Sequence, residues 1–180
     1  MTTGALAHTG NRSSSVLADP PAQRIEQLFA DLKRANNEQA AARVSARIVR
    51  EWLRAGSATV DLLMQWSQKA IDDNKNGVAL DLLDQVVTLA PEFAEGWNRR
   101  ATVHFSMNDY GKTMSDLERV LELEPRHFGA LAGLATILSE TQRTDAAIRA
   151  YERLLDVYPM MRDAQSELGR LADEASGQGI

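Results

Sequence analysis

Apolar residues recur at helical spacing along most of the chain. Two upstream stretches, RIEQLFADLKRA and EQAAARVSARIVREWLRA, place apolar side chains three and four residues apart, at Ile25, Leu28, Phe29 and Leu32 and at Val44, Ile48 and Trp52. Such spacing puts each set on one face of a helix. The pattern predicts a pair of amphipathic helices within residues 22–59. Residues 1–21 lack this period, and their small and polar composition predicts a disordered arm.

From residue 60 onward the helical pattern repeats with a fixed period. The stretches QVVTLAP, RVLELEP and RLLDVYP end at Pro91, Pro125 and Pro159, which are 34 residues apart in both steps. A proline can end one helix and open the turn into the next, because it lacks an N–H group and restricts the residue before it. The period defines units 60–93, 94–127 and 128–161, each long enough for two helices joined by a short turn.

The residues inside these units resemble the tetratricopeptide repeat (TPR) family, whose period is also 34. The middle unit matches the family pattern at the large residue of the first helix, the small residue at the helix crossing, the turn and the second helix, with Trp97, Ala101, Tyr110, Leu117, Val120 and Pro125. Asn74, Asn108 and Gln142 stand where the family often has glycine. The resemblance implies an all-α TPR solenoid, a right-handed superhelix of antiparallel helix pairs, in which Trp97 and Ala101 are buried.

An array of stacked repeats needs its two ends covered. Counting back 34 residues from Pro91 reaches Ser57, so we interpret residues 22–59 as a degenerate repeat without its proline. At the other end, residues 162–175 predict a capping helix, with the positions of a fourth first helix occupied by Ala164, Leu168, Gly169 and Ala172. Residues 176–180 predict a short disordered tail. The TPR domain is thus expected to span residues 22–175.

Composition agrees with a helical fold and removes several kinds of chemistry. The chain has 26 Ala and 21 Leu against 10 Val and 6 Ile, which favours helices over strands. It has no cysteine, so disulfides, thiolate metal sites and thiol catalysis are excluded. No phosphate-binding glycine loop or nucleophile elbow occurs, and three scattered histidines do not suggest a metal site. We therefore predict no enzyme activity, no cofactor and no metal.

One turn has a partial calcium-binding pattern. Residues 72–77, DDNKNG, match the first half of an EF-hand loop, but the bidentate glutamate that the loop needs would fall on Leu83. The repeat register places Leu83 in the core. We therefore interpret the segment as a polar turn between two helices.

Charge is distributed unevenly along the chain. The net charge is −5, yet residues 1–56 contain eight Lys and Arg against five Asp and Glu. A stripe of Arg43, Arg47, Arg50 and Arg54 follows a 4, 3, 4 spacing on one side of the second predicted helix. Two interpretations remain open: a solvated face paired with nearby acids, or a site for an acidic partner, an anionic membrane surface or another copy of the chain. Nucleic acid is not expected, because no aromatic residues interleave with the stripe.

The resemblance also implies where a partner binds. In the family, the first helix of each pair lines a concave groove that holds a peptide or a partner helix. The register assigns this groove to Met64, Gln68, Ile71, Asn98, Arg99, Thr102, Phe105, Gly129, Ala132, Gly133 and Thr136. The cationic clamp with which chaperone-binding members hold a carboxylate is absent from these positions. Small residues at 129, 132 and 133 have two interpretations: a shallow recess between the second and third repeats, beside Phe105 and with Arg99 at its rim, or close packing of neighbouring helices without a binding site.

We predict a non-catalytic interaction scaffold that binds a protein or peptide in the groove, with docking through the arginine stripe as the alternative and self-association as a further possibility. Compartment stays open between periplasm and cytoplasm. Small standalone bacterial TPR proteins, which this chain resembles, are often exported. Ala5-Leu6-Ala7 has the small-x-small form of a signal-peptidase site, although no apolar segment precedes it.

Overall fold

The computed structural model describes residues 21–177, and this part of the chain consists of helices with no β-strand. The segment with Ala5-Leu6-Ala7 lies outside the described residues, as does the end of the predicted tail. The helices are α1 (Pro21–Arg34), α2 (Glu38–Trp52), α3 (Ala58–Asp72), α4 (Asn76–Leu89), α5 (Ala94–Ser106), α6 (Tyr110–Leu123), α7 (Phe128–Glu140), α8 (Thr144–Val157) and α9 (Arg162–Gly177). Helices α3 to α8 form three antiparallel pairs, which confirms the predicted TPR solenoid.

The turns within the three repeats each contain one residue in the left-handed backbone conformation. Asn74, Asn108 and Gln142 adopt left-handed conformations with φ of 57°, 59° and 58°. This conformation ends a helix by letting the following N–H groups bond to its last carbonyls. Asparagine tolerates it better than other residues with a side chain, so Gln142 is the least suited of the three.

Each repeat buries the residues that the period predicts. Ala79, Leu83 and Val86 of α4 are fully buried, and so are Val120 of α6 and Leu154 of α8. Ala101 is also buried, as expected for a helix crossing. Trp97 is only partly buried, because its ring lies near the surface and its Nε1 donates a hydrogen bond to the Pro91 carbonyl at 2.9 Å. The expectation that Trp97 is buried is therefore wrong, because it is only partly buried at the edge of the core.

Small residues allow the repeats to stack closely. A Cβ atom added to Gly96 of α5 would lie 2.7 Å from the Cγ1 atom of Val86, on the preceding repeat. The residue 34 positions later, Ala130 of α7, is fully buried. Val103 and Ile137, which face the same way one repeat apart, are also buried and complete the contact.

The position of the N-terminal helix pair differs from that of a preceding repeat. Helices α1 and α2, which we call the N-terminal hairpin, pack mainly against the third repeat rather than against α3. Its buried residues join one hydrophobic cluster with residues of α7, α8 and α9; from the hairpin these are Leu28, Phe29, Leu32, Ala41 and Ile48. The apolar spacing predicted the two helices correctly, but the 34-residue step does not give their place.

Aromatic and polar contacts hold the hairpin against the inter-repeat turns. The ring of Trp52 stacks on that of His127, with ring centroids 4.2 Å apart, and lies 4.8 Å from Phe128. Arg126 pairs with Glu26 through two hydrogen bonds of 2.9 and 2.8 Å. Because Arg126 and His127 belong to the turn between α6 and α7, the hairpin closes over the edge of the solenoid at the third repeat.

The capping helix α9 uses a different set of residues from the predicted one. Ala164 and Leu171 are buried and Leu168 is partly buried, whereas Gly169 and Ala172 are exposed. In a complete repeat the last two positions would contact the second helix of the same pair. No such helix follows α9 within the described residues, so α9 buries only the face toward α7 and α8. None of the described helices is both long and apolar enough to span a bilayer.

Candidate functional site

The predicted groove residues lie on the first helices of the repeats, but they do not form one continuous site. A recess of about 120 Å³ lies between the second and third repeats. It is lined by six of the eleven predicted residues, namely Asn98, Thr102, Phe105, Gly129, Gly133 and Thr136. The others, Met64, Gln68, Ile71, Arg99 and Ala132, lie outside its lining.

The contrast between Arg99 and Gly133 explains why the recess occurs at this junction. These residues are 34 positions apart and face the preceding repeat from equivalent places. Arg99 reaches back to the first repeat, where its Nη1 donates a hydrogen bond of 2.8 Å to the Met64 carbonyl. Gly133 has no side chain, and an added Cβ would meet only the methyl groups of Leu117, at 3.4 and 3.7 Å. The side chain of Arg99 therefore fills the junction between the first and second repeats, whereas the junction between the second and third repeats is open.

This contact corrects the predicted role of Arg99 at the rim of the recess. Burial lowers the pKa of the Arg99 guanidinium from its ordinary value, while the nearby charges of Glu95 and Asp72 oppose the shift. The group stays charged at neutral pH and is already bonded to the chain. It therefore covers Met64, which is buried, instead of lining the recess.

The sequence pattern did not predict the residues that form the floor of the recess. Ala101, Thr113, Leu117 and Ile137 complete its lining. Their register positions are those of core residues, so sequence reasoning placed them inside the repeat. The available signal was the glycine at 133, because a residue without a side chain leaves space in front of the core residues behind it, although these stay largely buried.

A buried polar network joins the recess to the N-terminal hairpin. His127 accepts a hydrogen bond at Nδ1 from the backbone N–H of Ala130, at 3.1 Å, so a neutral ring carries its proton on Nε2. This atom donates to Glu95 Oε1 at 3.2 Å. Asn98, which lines the recess, donates to Glu95 Oε2 at 3.2 Å. Trp52 of the hairpin thus stacks on a ring that is bonded, through Glu95, to one wall of the recess.

The electrostatics of this network depend mainly on Glu95. Burial alone would raise the pKa of its carboxyl group, but the hydrogen bonds from His127 and Asn98 outweigh that effect and hold the pKa below its ordinary value. Glu95 is therefore ionised at neutral pH in a buried position. Gly129 lies close to this network, since an added Cβ would make a tight contact of 3.3 Å with His127 Cε1 and would require a small shift of the ring.

The arginine stripe forms part of a second concave site. Arg47, Arg50 and Arg54 line a cleft of about 280 Å³ between α1 and α2, together with Arg24 of α1 and with Gln27, Leu28 and Glu51. The fourth predicted member, Arg43, is exposed but lies outside this lining. Arg24, which the single-helix spacing could not reveal, takes its place.

The turn with the partial calcium-binding pattern, residues 72–77, does not have the geometry of a calcium site. Asp73 in the turn between α3 and α4 pairs with Lys69 and Lys75, at 3.5 and 3.3 Å. Leu83, at the position that a calcium loop would need for glutamate, is fully buried. In residues 21–177 no group of three His, Asp or Glu side chains is arranged to hold a metal ion.

Comparison with known sequences agrees with this architecture. A family model described as tetratricopeptide repeat matches residues 104–171. A TPR repeat-containing protein of Rhizobium etli is 48% identical over 167 residues, which cover 93% of this chain and 79% of that protein. The chain therefore belongs to the tetratricopeptide repeat family and is similar to a bacterial member of it. The small glutamine-rich tetratricopeptide repeat-containing protein 2 of Saccharomyces cerevisiae is 23% identical over 122 residues, which cover 68% of this chain and 35% of that protein.

Solved structures show the same fold at lower sequence identity. The first TPR domain of Spaghetti, bound to an HSP90 peptide, has a TM-score of 0.63 and 20% identity, over 67% of this chain and 95% of that chain. The MamA protein has a TM-score of 0.61 and 18% identity, over 87% of this chain and 83% of that chain. At these identities the likeness concerns the fold alone.

Proposed function

We propose that the chain is a non-catalytic interaction scaffold that holds a protein segment on its inner face, anchored in the recess between the second and third repeats. The observation that supports the proposal best is the open junction at Gly133, where a recess with a mostly apolar lining lies beside the partly exposed Phe105. A concave, mostly apolar site with a few polar groups at its edge is typical of ligand recognition. That the Spaghetti TPR domain binds a peptide adds to the proposal.

The lining indicates which chemistry the partner offers. Phe105 provides an apolar wall, Leu117 and Ile137 provide an apolar floor, and Asn98, Thr102 and Thr136 provide polar groups. None of the lining residues carries a charge. We therefore propose an uncharged segment that inserts one small apolar side chain and offers its backbone to the polar groups. An acidic C-terminus of the kind that a cationic clamp binds does not fit this lining.

The absence of titratable groups from the recess also supports a binding role over a catalytic one. General acid–base and nucleophilic catalysis need a positioned His, Asp, Glu, Lys, Cys or activated Ser at the reacting centre. The recess offers threonine hydroxyls without an adjacent base. One of them is already engaged, since Thr102 Oγ1 donates to the Asn98 carbonyl at 3.0 Å.

The experiment is a peptide-display selection against the immobilised chain, followed by affinity measurements on the selected peptides with two variants. Thr102→Trp places a large ring at the mouth of the recess, and because Thr102 is exposed the variant should fold normally. Gln68→Trp is the matched control, since Gln68 is exposed at the equivalent position one repeat earlier and lies outside the lining. We expect Thr102→Trp to weaken binding at least about tenfold, which corresponds to about 1.4 kcal/mol.

The same two variants can also contradict the proposal. Selected peptides that bind Thr102→Trp as well as wild type would place recognition outside the recess. Equal weakening by Gln68→Trp would indicate a site spread along the whole inner face, as the register alone predicts.

A further inference from the structure

The cleft between α1 and α2 is lined mainly by positively charged side chains. Four guanidinium groups, from Arg24, Arg47, Arg50 and Arg54, line it together with a single carboxylate, that of Glu51. Counted over these lining side chains alone, the formal charge is +3, in a chain whose net charge is −5. The overall composition is acidic, so it does not account for this local excess of positive charge.

The arginines of the cleft differ in how the fold uses them. Glu51 lies 3.6 Å from a guanidinium nitrogen of Arg24 and 3.6 Å from one of Arg54. Arg47 and Arg50 form no hydrogen bond and no ion pair with any residue in the range 21–177. Asp31, which lies near Arg47, already accepts hydrogen bonds from Arg34 and Gln27 at 2.9 Å each. Two guanidinium groups thus face the cleft with their donors available.

Such an arrangement has a cost in the isolated chain. Like charges three and four residues apart on a helix repel each other, and here three of them converge on one concavity. A bound anion would remove that repulsion and gain charge-assisted hydrogen bonds from the planar donor forks. The basic residues of the lining are all arginine, the side chain best suited to bind planar or tetrahedral oxyanions through two parallel bonds.

We propose that this cleft binds a compact ligand with two or more phosphate groups, which inserts between α1 and α2 and bonds to Arg47 and Arg50. A volume of about 280 Å³ accommodates such a group but not a whole helix or a nucleic-acid strand. The two guanidinium forks of Arg47 and Arg50, which have no ion-pair partner among residues 21–177, match two phosphate groups better than the single carboxylate of a side chain. The ligand is either a free phosphorylated compound or the headgroup of a phosphorylated lipid.

The test measures binding of inorganic pyrophosphate by titration calorimetry at low salt, with the full chain and two double variants. Arg47→Gln with Arg50→Gln removes the two available donors. Arg149→Gln with Arg153→Gln is the matched control, because these arginines of α8 are also exposed and lie four residues apart, against three for Arg47 and Arg50. They form no ion pair with any described residue and lie outside the cleft. Both variants change the net charge by the same amount.

We expect saturable binding by wild type, a loss of at least about tenfold for the cleft variant, and a change of no more than about twofold for the control. Helicity by circular dichroism should be the same in all three proteins, since these side chains are exposed. The proposal is overturned if wild type shows no saturable binding, or if both variants weaken it equally, since the second result indicates general electrostatic attraction.

Two further probes identify the source and the class of the ligand. Sedimentation with phosphatidylcholine vesicles that contain phosphatidylinositol bisphosphate tests the headgroup: cosedimentation lost only in the cleft variant supports a lipid source. Pyrophosphate binding without cosedimentation supports a free phosphorylated compound. A polyglutamate peptide that binds as tightly as pyrophosphate, with the same dependence on Arg47 and Arg50, would contradict a phosphate site.

Discussion

Helices α3 and α9 occupy equivalent register positions at the two ends of the array, yet they bury opposite faces. In α3, Leu63, Ser67 and Ala70 are buried against its partner helix α4. The face toward a preceding repeat is open, with Leu62 and Trp66 42% and 51% exposed. In α9, the face toward the preceding repeat is buried at Ala164 and Leu171, while Gly169 and Ala172 are exposed. Each end helix buries the face that has a neighbour.

The difference lies in the residues at the stacking positions. Where α5 and α7 have Gly96 and Ala130, α3 has Leu62, and where they have Val103 and Ile137, α3 has Lys69. A leucine and a lysine at these places do not permit close helix stacking. The N-terminal hairpin accordingly covers the third repeat instead, and the start of the array stays open.

The largest effect is expected at the covered end. Leu171→Ala should destabilise the docking of α9 by about 2–5 kcal/mol, because Leu171 is almost fully buried against the third repeat. Chemical denaturation followed by circular dichroism measures the loss. The control is Ala172→Ser, one residue further on and exposed, which should leave the unfolding midpoint within error. Similar midpoints for the two variants would mean that α9 does not cap the array.

A second prediction moves the open-end residue into the array. Gly96→Leu gives α5 the leucine that α3 has, and it should cost about 1–3 kcal/mol or more, because even its Cβ would lie 2.7 Å from Val86 Cγ1. The reciprocal change Leu62→Gly removes an exposed side chain and should cost about 1 kcal/mol, mainly through helix propensity. Equal effects in urea unfolding would contradict the stacking argument.

Sequence reasoning predicted the array well because its signals are local and periodic. The spacing of Pro91, Pro125 and Pro159 defined the helix pairs, and Asn74 and Asn108, at positions where the family often has glycine, adopt the left-handed conformation that glycine favours. The docking of the hairpin was not predictable in this way. It depends on a stack between Trp52 and His127, which are 75 positions apart, and no period connects them. The arginine stripe likewise predicted the three cleft arginines of one helix region but not Arg24, because Arg24 lies on the neighbouring helix and outside that spacing.

A third prediction uses acid to test the buried Glu95, which bonds to His127 where the N-terminal hairpin packs on the array. The pKa of Glu95 is held below its ordinary value, so its contribution to stability is fully present above the unfolded-state pKa of about 4.3 and is lost as the pH falls through the lower folded-state value. The difference in Tm between wild type and Glu95→Gln should therefore be constant from pH 7 to about 5 and shrink at lower pH. A difference that does not vary with pH would mean that Glu95 acts without its charge.

The smallest effect is expected for Trp66→Ala at the open face of α3. About half of this side chain is already accessible to solvent, so truncation removes only part of the apolar burial that a core tryptophan would lose. We expect a destabilisation of about 1 kcal/mol or less, measured by urea unfolding at low protein concentration.

Repeating the measurement over a range of concentrations sharpens the comparison of the two ends. A wild-type midpoint that rises with concentration, and no such rise in Trp66→Ala, would show that a second copy covers the face. A large loss already at low concentration would instead mean that this end is covered within one chain, and the contrast between α3 and α9 would fail.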